Sequence, residues 1–195
     1  MTRVAGNRTL ARGSTAQTTL AFIRDTYGAA TTDAILARLG SAERKQLQSA
    51  GTTDYLSYDR LLALWKAADA HLAPEHPRWM EQAGAYAIES FGQQMYGGLL
   101  HKASPTEFVT QSVSLFNLYY PQGNMEAAEV EVGRAVLRLV GFDALGPLFC
   151  QRQTGGLRVA TELAGGQEVR VAHVRCTHEG DAFCEWEVRW AQSPS

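Results

Sequence analysis

HVRCTHEGDAFCEWEVRW, residues 173–190, is the stretch whose reading decides the fold. From Phe183 onward its residues alternate: Cys184, Trp186, Val188 and Trp190 fall on one side, Glu185, Glu187 and Arg189 on the other. That period of two predicts a strand over Phe183 to Trp190 with one face on a core and one in water. The segment Glu168 to Val174 reads as its partner strand, and the short segment Thr177 to Phe183 predicts a hairpin loop, so Cys176 and Cys184 face each other. Moving outward, Pro147 to Leu163 reads as a helix with Gly155 and Gly156 in its body, ended by Ala164-Gly165-Gly166. Before it, Pro121-Gln122-Gly123-Asn124 marks a turn, and Ala128 to Glu131 and Ala135 to Val140 are short alternating runs.

Upstream of Tyr120 the apolar spacing becomes helical. Leu20, Ile23 and Tyr27 predict a helix over Ser14 to Tyr27 with a stop at Gly28, and Ile35, Leu36 and Leu39 a second over Thr32 to Leu39. A third follows Tyr58 with Leu61, Leu62, Leu64 and Trp65, and Pro74 and Pro77 interrupt the pattern. A fourth is expected over Trp79 to Leu100, where Gly84, Gly92, Gly97 and Gly98 permit close approach to neighbours. Ser104-Pro105-Thr106-Glu107 is a capping box opening a helix to about Asn117. The expected fold class is α+β, an N-terminal helical half packed on a C-terminal antiparallel sheet with a long helix. It is read as one domain over 12–190, with 12–118 helical and 119–190 α/β.

The chain has 195 residues, 45% of them hydrophobic, enough for one substantial core. Lys plus Arg number 18 against 20 for Asp plus Glu, which provides no broad field for nucleic acid or an anionic membrane surface. No apolar run reaches the ~18 residues of a membrane span, and Met1 to Arg12 lacks a leader-length apolar segment, so a cytoplasmic protein is expected. Phosphate-cradling glycine loops with a lysine, nucleophile elbows and paired zinc-protease histidines are all missing, and no enzymatic activity is expected. Glu126, Glu129 and Glu131 read as a solvated strand face.

Three cysteines make an odd count, which argues against a secreted disulfide framework. Cys150 near the start of its helix, Cys176 at a strand end and Cys184 at the start of the partner strand can meet, and thiolates with one further nitrogen or oxygen ligand suit tetrahedral zinc. The fourth ligand is His173, with His178 as the backup. His173 precedes Cys176 by three positions, so strand alternation puts the two on opposite faces unless a bulge falls near Val174 and Arg175. The alternatives are buried inert thiols, or a Cys176–Cys184 pair acting as a thiol redox switch.

The spacing Cys150-x25-Cys176-x7-Cys184, with Gly155 and Gly156 in the helix and Gly180-Asp181 before the last cysteine, resembles the 4-vinyl reductase domain family. In particular it resembles the zinc-containing sensor domains of aromatic-responsive sigma-54 activators. That resemblance implies zinc on Cys150, Cys176 and Cys184, with the family's acidic ligand replaced by His173. A second likeness lies in Arg12-Gly13-Ser14-Thr15, Phe22 to Gly28, Ile88-Glu89-Ser90-Phe91 and Tyr96-Gly97-Gly98, which look like the helical half of haem-nitric oxide/oxygen-binding domains. Those share a superfamily with the 4-vinyl reductase domains and the small subunits of the TRAPP vesicle-tethering complex. Haem is nevertheless not expected: Val113 to Leu118 carries no axial histidine, the Tyr-x-Ser-x-Arg motif is missing near Tyr119 to Gly123, and His101 is the one remaining candidate ligand.

The resemblance implies a central site for a small apolar ligand, aromatic or acyl, for which Trp79, Met95, Tyr96, Phe108, Phe116, Tyr119 and Tyr120 are the candidate lining. The expected role is a non-enzymatic sensory or regulatory protein with structural zinc, acting through a protein partner, as a homodimer. The alternative is a TRAPP-like interaction scaffold regulating a small GTPase without a ligand. A signal has to pass to a separate partner or within a dimer, because the chain ends five residues after Trp190.

Overall fold

The computed structural model of the chain describes residues 9–92 and 104–191. Strand β1 (Leu10–Arg12) leads directly into helix α1 (Gly13–Tyr27), which Gly28 ends with φ of 90°. Helices α2 (Ala29–Ala37) and α3 (Ser41–Ser49) follow, then strand β2 (Tyr55–Ser57), which pairs antiparallel with β1, and helix α4 (Tyr58–Leu72). Helix α5 (Trp79–Ala87) passes into one π-helical turn over Ile88–Gly92. The expected helix to Leu100 is thus corrected: its α-helical ladder ends at Ala87, next to Ser90 and Gly92, residues that support an α-helix weakly. The remainder of that stretch, with Met95, Tyr96 and His101, lies outside the described residues. α6 (Pro105–Tyr119) begins as its capping signature requires, with Ser104 Oγ accepting from the Glu107 amide at 3.2 Å.

The second half is built from β3 (Asn124–Glu131), β4 (Arg134–Val140), α7 (Pro147–Leu163), β5 (Gln167–Arg175), a 3₁₀ turn at Thr177–Glu179 and β6 (Cys184–Ala191). The four strands form one antiparallel sheet in the order β3-β4-β6-β5. The fold class is α+β, as the alternation and helical periods require. Cys184, Trp186, Val188 and Trp190 all face the core, together with Ala135, Leu137 and Leu139 of β4. The other sheet face is laced by ion pairs across the strands, Arg134 to Glu187 and Glu129, and Arg138 to Glu185. Glu129 is therefore a paired residue of that face rather than a purely solvated one.

Helix α7 lies between the sheet and α5, and glycine sets how closely it approaches. A Cβ on Gly155 would sit 1.9 Å from the Glu81 carbonyl oxygen, and one on Gly84 would sit 2.0 Å from that of Arg152. The two backbones touch, which no other residue permits. Gly156 differs, because a Cβ there meets neighbours only at 3.6 Å. Gly155→Ala is therefore expected to destabilise by about 1–3 kcal/mol through overpacking. Gly156→Ala is expected to stabilise by roughly 0.5–1 kcal/mol by relieving the helix of a flexible residue. Urea denaturation of the two variants beside the parent reads both signs.

Candidate metal centre

Four side chains converge where α7 meets the β5–β6 hairpin. The ligand atoms of Cys150, His173, Cys176 and Cys184 all lie within 4.8 Å of one another, and the three cysteines are buried and not disulfide-bonded. Cys150 comes from the first turn of α7, Cys176 from the end of β5 and Cys184 from the start of β6. His173 joins them because the register shifts between His173 and Arg175: two residues advance on β5 for one on β6. That bulge turns a spacing of three onto one face, which regular alternation forbids.

The geometry suits a tetrahedral ion. The Cys150 and Cys184 sulfurs are 3.7 Å apart, and a tetrahedron whose sulfurs sit about 2.3 Å from its centre has an edge of about 3.8 Å. Nε2 of His173 is buried and has no hydrogen-bond partner, the condition of a nitrogen awaiting a Lewis acid. Its ring stacks on Trp186 with centroids 4.9 Å apart, and Trp186 Nε1 donates to Thr154, whose hydroxyl donates to the Cys150 carbonyl. The imidazole is therefore held in place by neighbours that are themselves fixed. His178 is exposed in the 3₁₀ turn and stands outside the group.

Electrostatics separate the two facing thiols. The hydrogen bond from Cys150, then contacts from His173 and from the Thr177 hydroxyl and amide, hold the Cys184 thiol down to about 4 against the opposing effect of burial. Donating to Cys184, together with burial, pushes Cys150 upward. Metal ligation requires thiolates, and the neighbours of Cys184 favour that form. The loop is built to serve this arrangement. Asp181 Oδ2 accepts from the Cys176 amide at 2.8 Å, and the Asp181 and Glu179 amides return hydrogen bonds to the Cys176 carbonyl. Gly180 supplies the left-handed turn with φ of 101°.

The residues expected to line a ligand site divide. Phe116 and Tyr120 stack at 5.3 Å, and with Tyr58, Phe142 and Phe149 they form a buried cluster of rings, Phe142 to Phe149 being 4.7 Å. Phe108 is buried in the same core and Tyr119 is half-buried beside it. Trp79 lies at the join of α4 and α5, its Nε1 donating to Asp69 at 2.9 Å. Met95 and Tyr96 fall outside the described residues. Sequence reading missed a cleft of about 530 Å³ between α1, α5, α7 and β5, with Phe22, Arg78, Tyr86, Glu89, Arg158 and Arg170 in its walls. It also missed Arg152, buried beneath α1.

Neither a family model nor any curated protein matches the sequence. Solved structures do match. An H-NOX protein from S. oneidensis in the Fe(II)NO ligation state superposes with a TM-score of 0.71 at 12% identity, covering 93% of this chain and 99% of that one. The Fe(II) unliganded H-NOX protein from K. algicida gives 0.70 at 12% identity over 94% and 98%. A structure solved to probe haem distortion in the H-NOX family gives 0.70 at 11% over 94% and 97%. These findings overturn the expectation against haem: at such low identity short motifs drift while the fold persists, so their absence does not set haem aside. The described residues do not by themselves complete a haem site. His71, His76 and His178 are exposed and His173 stands in the cysteine cluster. The chain shares the fold of these H-NOX proteins.

Proposed function

We propose that the chain is a sensory or regulatory ligand-binding protein of the 4-vinyl reductase type, residues 12–190 forming one domain. A structural zinc ion on Cys150, His173, Cys176 and Cys184 fastens its long helix to the sheet. The observation that carries this reading is the convergence of three buried thiols and the His173 imidazole, whose ligand atoms lie within 4.8 Å of one another. Four protein ligands leave zinc no position for water or substrate, so the ion contributes folding energy rather than catalysis, and the role is binding, not turnover. The ligand belongs between the helical half and the sheet. An aromatic or acyl compound suits the rings there, and haem is the group named in the descriptions of similarly folded proteins.

Elemental analysis of the purified protein is expected to give about one zinc per chain. Cys150→Ser and His173→Ala are each expected to lose it, and a strong chelator is expected to lower the melting temperature of the parent. Metal-free protein with an unchanged melting temperature would overturn the zinc assignment. An absorption spectrum of the same sample separates haem from a colourless ligand. Asp181→Ala is expected to keep the ligands yet weaken zinc retention by about 10- to 100-fold, as measured by competition with a chromophoric chelator, because the Cys176 amide loses its acceptor.

A further inference from the structure

Helix α7 carries a second buried polar group two residues after Cys150. Arg152 is only 9% exposed and points away from the sheet towards α1, where one terminal nitrogen donates to Thr18 Oγ1 at 2.9 Å and the other to Thr19 Oγ1 at 3.4 Å. Its guanidinium carbon lies 5.9 Å from the centre of the Trp65 ring, and Trp65 Nε1 also donates to Thr19 Oγ1 at 3.2 Å. Hydroxyls and a ring face are its surroundings. A guanidinium stays protonated even in such a place, and hydroxyls do not neutralise it.

The missing counter-charge is notable because the chain provides one elsewhere. Arg134 and Arg138, on the far more open sheet face, each have a carboxylate partner. Arg152 forms no ion pair among the described residues, and residues 1–8, 93–103 and 192–195 contain no Asp or Glu that could supply one. A buried, uncompensated charge is strongly unfavourable, so its presence calls for an anion. A second observation points the same way. Ser14, Thr15, Thr18 and Thr19 form a buried hydroxyl stripe on the face of α1 that meets Arg152, and Ser14 Oγ, one turn before Thr18, has no hydrogen-bond partner. Tyr120, from the ring cluster, lies close enough for the Arg152 charge to act on its phenol.

We propose that Arg152, held in place by Thr18 and Thr19 and joined by the Ser14 hydroxyl, receives the carboxylate of a small organic acid whose apolar body lies against the neighbouring aromatic rings. The inference rests on the ligand-binding reading above and narrows it to acids. A planar guanidinium matches a carboxylate with two parallel hydrogen bonds, and the unpartnered Ser14 hydroxyl can donate to a remaining lone pair, whereas Thr18 and Thr19 Oγ1 donate to the Thr15 carbonyl and hold the guanidinium in place. Trp65 and the Tyr120–Phe149 contact, with centroids 5.2 Å apart, offer the apolar walls.

Titration calorimetry and thermal unfolding of the full chain as purified, with sodium benzoate and sodium octanoate against benzyl alcohol, 1-octanol and sodium chloride, test it. An acid is expected to bind at least about tenfold more tightly than its alcohol and to raise the melting temperature where chloride at equal concentration does not. Arg152→Met is expected to lose acid binding by about 30-fold or more and to keep what alcohol binding the parent shows. Should that variant fail to fold, the near-isosteric Thr18→Val/Thr19→Val pair is expected to weaken acid binding alone. Equal binding of acid and alcohol, an equal response to chloride, or acid binding unchanged in Arg152→Met or in the valine pair overturns the inference while leaving a ligand-binding protein. Failure of both acids and both alcohols to bind overturns the ligand-binding reading with it.

Discussion

The contact of α5 and α7 through Gly84 and Gly155 is the constraint on which the other arrangements depend. With the two backbones in van der Waals contact, α7 is pinned on one side by a helix and on the other by the sheet, and its rotation about its own axis has little freedom. That fixed rotation sends Cys150 towards β6 and, two residues on, Arg152 towards α1. The helical half and the sheet are thereby joined by an element whose two faces carry different chemistry. Gly155 weakens α7 as a helix and is kept there by this approach, since local propensity and global packing disagree at that point.

Two buried polar sites flank that helix, and they differ in how the fold satisfies them. Around Cys150 the protein supplies a complete donor set, with Trp186, Thr154, Thr177 and Asp181 orienting it. Around Arg152 it supplies hydroxyls and rings but no opposite charge. The first has the character of a closed structural centre and the second of a half of a recognition pair. Phe116 and Tyr120 stack on each other and meet Phe149 edge to face, so the ring cluster adjoins the residue that precedes Cys150.

The cysteine centre was legible in the sequence because the hairpin that makes it is local. Alternation after Phe183 orients Cys184, the loop length sets Cys176 opposite it, and the odd spacing from His173 to Cys176 makes a bulge the condition for His173 to join them. Arg152 was not legible, because what buries it is Thr18 and Thr19, more than 130 positions away, and an arginine in a helix reads by default as solvated. The signal that could have found it is the run Ser14, Thr15, Thr18, Thr19, hydroxyls at positions one helical turn apart on a face that also carries Phe22. The three-residue strands β1 and β2 are too short to show a period, and α3, with one buried apolar residue, Leu47, has no stripe to read. Haem was set aside on missing motifs, although a fold keeps its path long after short motifs have changed.

The bulge that swings His173 inward has another effect, on the outside of the molecule. Among the described residues β5 is an edge strand, paired only with β6, and its other side presents backbone groups on which a further strand could build. Its register slips twice, between Gln167 and Arg170 and between His173 and Arg175, with Glu168 at φ of 49° in the first slip. A foreign strand seeking a straight row of amides and carbonyls finds that row broken at both ends. The distortion that shapes the interior centre thus also guards the sheet against uncontrolled edge-to-edge association.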